Sequence, residues 1–592
     1  MNIRLNIVFL IIFGVIVTLL SRVYFLSIKS NTYFEELSKN NYIKRVYKLP
    51  VRGNIEDRNG EQLAINEVGF SILIKPHLSS NKYKKKLEDL VDLIVKHFPE
   101  QEKEKLIKEY KKNDSSYNHE FIKIVDYIPY NEIFSKYTVL ASNEDIKIEP
   151  STKRFYPQKE VASHIIGYVG KASKVDILNN ELSSYTGVIG KNGLEKYYNS
   201  KLQGELGYRD VKVNALNKEI EILEEKEASI DNSIKTTLDI KLQKYVQEVF
   251  EGKSGAVIIM DVRNGEILTA ASFPEFDNNI FARGITAKEW NEMRNDFNHP
   301  FTNKIINGLY PPGSVIKMGV ALSFLENGIS DNFTVNCTGS LPIGNRNFRC
   351  WKSTGHGTVN FRKAISESCD DFFYKGSLKL GINKISQSLD KFGFGQLSGI
   401  DQINEFVGVN PNKEWKEKKY NQPWYVGETV ITSIGQGNML VTPLQIARYT
   451  SFLASGKLPK PHFYKANYEE PKDLGVPKEY LDLMRKGMLD ASYDSKGTAS
   501  KYINSKVTIA SKTGTAQVVS IPQSEKVRMK ESELKYFQRS HAWITTFAPF
   551  KNPQYAITVI EEHGGHGGEA TGAVVSKIYD KLYDLGYITS KE

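Results

Sequence analysis

The feature that most limits what this chain can become is a run near its start. Residues 7–28, IVFLIIFGVIVTLLSRVYFLSI, are apolar except for Thr18, Ser21, Arg22 and Ser27. At ~1.5 Å per residue, a helix over this run reaches roughly 33 Å, enough for the hydrocarbon core of a bilayer. Arg22 lies near one end, where its long stem can reach the headgroups. A cleaved leader carries a shorter apolar core and a small-residue A-x-A-like site, which is not found here. The run therefore predicts an uncleaved, single-pass anchor, with residues 1–6 as a stub on one side. No later segment stays apolar for 18 residues, so the rest of the chain folds on the other side. Arg4 stands against Arg22 and Lys29, and this charge balance leaves the orientation open.

With 592 residues the chain is several times the length of one ordinary domain. It is 40% hydrophobic and 25% charged, which excludes disordered, collagenous and coiled-coil classes. The net charge of +10 is spread thinly, and the lysines at 82–86 lie on a helix-like segment beside Glu and Asp. A nucleic-acid partner requires a concentrated basic face, and none is present.

Local patterns divide the chain. Residues 50–75 read as strands around Asn59-Gly60, a strong hairpin signal. Residues 79–150 read as a polar helical insert, with Leu87, Leu90, Val91, Ile94 and Phe98 at helical spacing and Pro99 as a stop. Residues 151–210 read as strand and turn. From about residue 231 an amphipathic helix (TTLDIKLQKYVQEVF) precedes two apolar strands around Asn264-Gly265. Near the end, HAWITTFAPF and QYAITVIEEHGG give two more strands and then a final helix. A helix–hairpin start and a hairpin–helix finish predict an antiparallel sheet on which the two ends of this region pack together.

Three short motifs in the second half share a mechanical reading. In PPGSVIKM, Ser314 and Lys317 stand three apart at the start of a helix, so the amine can meet the hydroxyl. A serine hydroxyl is a poor nucleophile alone, and a desolvated lysine beside it can take its proton. Ser368-Cys369-Asp370 precedes an aromatic helix, and Lys512-Thr513-Gly514-Thr515 follows a strand. Each motif alone is weak; the ordered set is specific to serine acyl-transfer enzymes of one fold.

The set resembles that of the penicillin-binding transpeptidases. RGNIEDRNGEQLA, RFYPQKEVASHIIGYVG and GKNGLEKYYNSKLQGELG are similar to the N-terminal motifs of class B, which has no glycosyltransferase domain. Asp370 in the second motif, WKSTGHG, PWYVGETVITSIGQG and EHGGHGG resemble the cell-elongation type within class B; division-type relatives usually carry Asn at the position of Asp370.

The resemblance implies an α/β architecture: the anchor at 7–28, then an elongated α+β pedestal of the dimerisation type over 29–230. The pedestal would carry a helical head at about 79–150, and an α/β/α transpeptidase domain with an antiparallel sheet would fill 231–592. It implies that Ser314 attacks a D-Ala–D-Ala carbonyl of a peptidoglycan stem peptide and that Lys317 is its base. Ser368 would relay a proton, with Asp370 shaping its hydrogen bonds and Lys512 supporting it. Thr513, Gly514 and Thr515 would bind the peptide, and the N–H groups of Ser314 and Thr515 would form the oxyanion hole. β-Lactams would acylate Ser314. The expected partners are a SEDS-type membrane glycosyltransferase and other elongation-complex proteins. The substrate would place the bulk of the chain on the outer, periplasmic face of the cytoplasmic membrane. A D,D-carboxypeptidase, a β-lactamase-like hydrolase and a membrane-bound β-lactam sensor are rival readings of the same motifs.

The cysteines supply a further expectation. The chain has three, Cys337, Cys350 and Cys369, close together in sequence, with His356 among them. Three thiolates and an imidazole make a complete tetrahedral set for a structural Zn2+. The alternatives are a Cys337–Cys350 disulfide with Cys369 inert, or three unrelated core cysteines. His563 and His566 suggest a metal pair or, more simply, a glycine-rich turn at a strand end, and His541 reads as packing.

Overall fold

A computed structural model describes residues 2–29, 42–115, 120–214, 219–230, 232–519 and 531–592. The chain forms two compact units interleaved in sequence. One comprises Met1–Gly53, Ala172–Gly187 and Ser200–Asn232; the other comprises Asn54–Lys171, Val188–Asn199 and Ser233–Glu592.

In the first unit, an α-helix over Asn2–Tyr24 runs into a π-helical turn, Phe25–Lys29. Its apolar side chains are exposed, and it is long and apolar enough to cross a membrane. Strand Gly207–Val213 is the centre of a three-stranded antiparallel sheet, between Ile43–Lys48 and Glu219–Lys226.

In the second unit, Ile55–Glu56 and Gln62–Ile74 pair around the expected turn. The Asp57 carboxylate accepts from the N–H groups of Asn59 (2.7 Å) and Glu61 (2.9 Å), which fixes the turn. Helices Lys84–His97 and Lys103–Asn113 pack on each other and share one core with the long strand, with Leu87, Leu90, Val91, Ile94 and Phe98 all buried as their spacing requires. The insert at 79–150 is not wholly helical, however. Strands Ile122–Pro129 and Ile146–Phe155 flank Gln62–Ile74 on either side. Lysine-rich helices dominate the composition there and mask the alternation of IKIVDYIP. The reading of 151–210, a stretch divided between the two units, as strand and turn is likewise corrected, because it holds several one-turn helices, among them Ser163–Ile166 and Gly193–Tyr197 in the second unit and Lys174–Asn179 in the first. One turn is too short to show a period. Local side chains start them instead, as in the Ser173–Asp176 capping box and the Asn192 cap. The domain boundary expected at residue 231 falls outside the described residues.

The rest of this unit is built on five antiparallel strands: β1 (Gly255–Asp261), β2 (Ile267–Phe273), β3 (Ala510–Ala516), β4 (His541–Ala548) and β5 (Tyr555–Glu561). Their spatial order is β2-β1-β5-β4-β3. Every residue of β1 and β2 is buried, as expected for a sheet covered on both faces. Helices α1 (Ile240–Val249) and α7 (Gly567–Asp584) cover one face, so both ends of the region do pack together. Asp239 caps α1 by accepting from Lys241 and Leu242. Helix α5 (Pro443–Ser455) lies against β1, β4 and β5, while α6 (Lys478–Tyr493) meets the β3 edge. Helix α2 (Lys317–Glu326) is buried over almost its whole length and sits centrally among α3 (Asp370–Leu380) and α6.

Candidate active site

Ser314 lies in a short 3-10 turn, Gly313–Ile316, that feeds directly into α2. Two prolines precede the turn, and its approach to the sheet is fixed from several sides. The Gly313 N–H donates to Gly435 O (2.8 Å), and the Trp543 indole donates to Pro311 O (3.2 Å). Tyr310 and Val441 exchange both backbone hydrogen bonds. Gly435 has φ +73°, and a Cβ there would lie 2.3 Å from Gly313 O, so the backbone approach requires glycine. This loop, SIGQG, follows helix α4 (Val426–Thr432). The neighbouring Gln436 side chain donates to Thr515 O (3.3 Å) and ties the loop to β3.

Lys317 is fully buried one turn on, but its ammonium does not bond Ser314. It donates to Asp370 Oδ1 (2.7 Å), Ser368 O (2.9 Å) and Ser368 Oγ (3.2 Å). Lys512, fully buried on β3, donates to the same Ser368 Oγ (2.9 Å) and to Thr513 O (2.9 Å). The Ser368 hydroxyl therefore bridges two lysines. Ser368 has φ +55°, a left-handed conformation costly for a residue with a Cβ, just before α3. Burial pushes the Lys512 ammonium well below the usual lysine range, and the positive charge of Lys317 adds to this. Burial raises the Asp370 carboxyl while Lys317 opposes the rise. Asp370 Oδ2 also accepts from the N–H of Trp351 (2.8 Å), a contact that the motifs did not disclose.

Of the expected peptide-binding residues, Thr513 turns its hydroxyl to Thr498 (2.8 Å). Thr515 is half-buried near the turn, and its hydroxyl accepts weakly from Gly567 N (3.4 Å). Gly514 has the Pro312 carbonyl and Val315 against its α-carbon, which brings β3 onto the turn bearing Ser314. Gly567 of the EHGGHGG segment packs its α-carbon onto Gly514, where a Cβ would meet Gly514 O at 2.2 Å. The rings of His563 and His541 are tilted against each other with centroids 4.7 Å apart; His566 is exposed at the start of α7. His541 Nδ1 accepts from His563 N (3.1 Å), which fits the turn reading.

Behind Ser368, four buried side chains converge. Strand Val335–Cys337 pairs with Gly357–Val359, which brings Cys337 opposite Gly357 and beside His356. The ligand atoms of Cys337, Cys350, His356 and Cys369 all lie within 4.8 Å of one another. His356 Nδ1 stands 3.6 Å from Cys337 Sγ and 3.5 Å from Cys350 Sγ, and all three cysteines are free thiols. Nitrogen and sulfur donors on a zinc tetrahedron stand ~3.6 Å apart, so the set fits that ion. His356 Nε2 is buried without a partner, a gap in the outer shell of such a site.

A serine on a helix-feeding turn, two buried lysines meeting on a second serine, and a five-stranded antiparallel sheet between helical layers define an acyl-transfer enzyme. Residues 255–582 match the penicillin binding protein transpeptidase domain, and residues 47–236 match the penicillin-binding protein dimerisation domain. The chain belongs to the penicillin-binding protein transpeptidase family. It is 33% identical over 592 residues to the peptidoglycan D,D-transpeptidase MrdA of Escherichia coli K12, covering 95% of this chain and 91% of that protein. It is also similar to penicillin-binding protein 2 (PBP2) of Helicobacter pylori, solved in complex with MreC. That likeness has a TM-score of 0.86 and 44% identity, over 92% of this chain and 99% of that one. PBP2 of Pseudomonas aeruginosa, solved with WCK 5153, has a TM-score of 0.67 and 29% identity, over 91% of this chain and 96% of that one.

Proposed function

We propose that Ser314, Lys317, Ser368 and Lys512 carry out peptidoglycan D,D-transpeptidation during cell elongation. The observation that carries this reading is the Ser368 hydroxyl held between Lys317 and Lys512, one helical turn from Ser314. Ser314 Oγ attacks the carbonyl of the D-Ala–D-Ala bond, and its proton passes to Lys317. The proton that Lys317 held moves through Ser368 to Lys512, whose burial favours the free amine over the ammonium. Asp370 holds Lys317 in register throughout. The N–H groups of Ser314 and Thr515 receive the oxyanion, worth roughly 3–4 kcal/mol per donor in other acyl-transfer sites. As the C–N bond breaks, the proton returns through Ser368 to the departing D-Ala amine, leaving an ester on Ser314. The amine of a second stem peptide attacks that ester and loses its proton through Ser368 to Lys512. The bond to Ser314 Oγ breaks as Lys317 returns the serine proton. The proton on Lys512 then passes back through Ser368 to Lys317, which completes the cross-link. Gly514 and Thr515 line the peptide; Thr513 would first have to exchange its bond to Thr498. β-Lactams acylate Ser314 in place of the peptide.

The apolar helix supports a single-pass anchor in the cytoplasmic membrane, and an extracytoplasmic substrate supports an outward-facing bulk. The MreC complex of the H. pylori relative supports an elongation-complex partner for this chain, with a SEDS-type glycosyltransferase supplying the glycan strands. A structural Zn2+ held by Cys337, Cys350, His356 and Cys369 would pin Cys369, and with it Ser368 and Asp370. The test of the catalytic roles is transfer: the acyl-enzyme should pass to an added D-amino-acid amine. Passage to water alone would favour the carboxypeptidase or β-lactamase-like alternative.

A further inference from the structure

A second buried ionic cluster, outside the residues assigned above, ends beneath the turn that bears Ser314. Lys304 is 2% exposed, and its ammonium meets Glu562 Oε2 (2.6 Å), Ser254 Oγ (2.6 Å), Phe273 O (2.7 Å) and Asn298 O (2.8 Å). Ser254 Oγ also donates to Glu562 Oε2 (2.6 Å). The other oxygen of Glu562 accepts from the Tyr310 hydroxyl at 2.7 Å. Tyr310 itself is 6% exposed.

Taking a lysine and a glutamate out of water costs several kcal/mol per ion, and apolar side chains of equal volume would hold the fold as well or better. The chemistry of this pair therefore needs a reason, and its geometry supplies one. Glu562 stands immediately past β5, where its N–H donates to Ser254 O (2.8 Å) and extends the pairing with β1. It is thus anchored on the end of the sheet. Tyr310 stands four residues before Ser314, and Pro311 and Pro312, with fixed φ angles, join it stiffly to the turn. The rings of His541 and Trp543 flank Tyr310 with centroids at 5.4 and 6.0 Å, and the same Trp543 holds Pro311 O. A displacement of the Tyr310 hydroxyl would therefore pass to the serine with little slack.

We infer that Glu562 and Lys304 are positioning residues for the acylation step, acting through the Tyr310 hydroxyl to set the height of Ser314 over β3. The inference rests on Ser314 being the nucleophile. A misplacement of about 1 Å at a nucleophile costs up to roughly a hundredfold in rate.

The experiment measures penicillin acylation of the full chain in detergent by stopped flow. It separates the noncovalent Kd from the first-order acylation constant, for the native enzyme, Tyr310→Phe, Glu562→Gln, Glu562→Asp and the Tyr310→Phe/Glu562→Gln double variant. Tyr310→Phe removes one oxygen and carries the test even if a charge variant fails to fold. Expected is a fall of roughly tenfold or more in the acylation constant of Tyr310→Phe and of Glu562→Gln. Kd and the Tm of Tyr310→Phe should be unchanged, Glu562→Asp should recover part of the rate, and the double variant should be no slower than the slower single. Native acylation constants in Tyr310→Phe, or single effects that multiply in the double variant, would overturn the inference. Peptide mapping of the native adduct separates the two levels. An adduct away from Ser314 overturns the underlying reading, whereas an adduct on Ser314 with native rates in the variants overturns the brace alone.

Discussion

At the residue scale, the site turns on where two buried lysine protons reside. Burial, and then the positive charge of its neighbour Lys317, push the Lys512 ammonium well below the usual lysine range, whereas an unfolded chain would bind a proton there up to about pH 10.4. The unfolded state thus binds more protons across the window between the depressed folded value and the ordinary one. Lys512 therefore costs stability at lower pH, and the cost fades as pH rises through that window. Lys512→Met should accordingly slow acylation by roughly a hundredfold or more while leaving Tm at pH 7 equal to or above native. A large fall in Tm would show that Lys512 serves the fold instead. Lys512→Arg keeps the charge and cannot give up its proton. It should stay slow at every pH, whereas the native enzyme gains rate as Lys512 deprotonates; an arginine variant within a few-fold of native would remove the amine from the mechanism.

Elements bring these residues together in ways only partly legible in the sequence. The strands around Asn264-Gly265, the closing hairpin and helix, and the apolar face of Lys84–His97 were all written in period and turn chemistry. The grouping of Lys317, Ser368, Asp370 and Lys512 was legible because three motifs occur in a fixed order. The partner of Lys317 was not. An i, i+3 spacing places it near Ser314, but the left-handed Ser368 turn offers a carbonyl, a hydroxyl and a carboxylate together, and the ammonium takes those. Nor was the grip of Gly435 on Gly313, a long-range backbone contact that leaves only a glycine in the sequence. Gly435→Ala should destabilise by roughly 1–3 kcal/mol, from its positive φ and the clash with Gly313 O, and slow acylation in step. Native acylation in that variant would mean that the loop does not hold the serine turn.

A Zn2+ on the four converging side chains would bind several elements into one piece: the strand ending at Cys337, the hairpin before Cys350, and the start of α3 at Cys369. Loss of a structural zinc forfeits binding energy of up to ~10 kcal/mol that belongs to folding. Cys350→Ser, or treatment with a strong chelator, should lower Tm by roughly 10 °C and slow acylation together. Elemental analysis with no zinc near one per chain, and no response to chelator, would return the cluster to three thiols and an imidazole in a core.

Over the whole molecule, the sequence disclosed the apolar N-terminal helix and the large sheet but not how the compact units divide. Segments Asn54–Lys171 and Val188–Asn199 fall in the same unit as the sheet, through long-range contacts that carry no period. Removing residues 1–41 should free the protein from membranes while penicillin acylation stays within about twofold of native, because no catalytic group lies there. Lost acylation in a folded, soluble truncation would mean that the anchor segment contributes to the site.

The central claim is that one serine, Ser314, forms the acyl-enzyme. Intact-mass analysis after exposure to benzylpenicillin, followed by peptide mapping, tests it most directly. Ring opening expels nothing, so the native chain should gain the full mass of one penicillin, located on Ser314, and Ser314→Ala should gain none while keeping its native Tm. An adduct on another residue, or an adduct that persists in Ser314→Ala, would contradict the account.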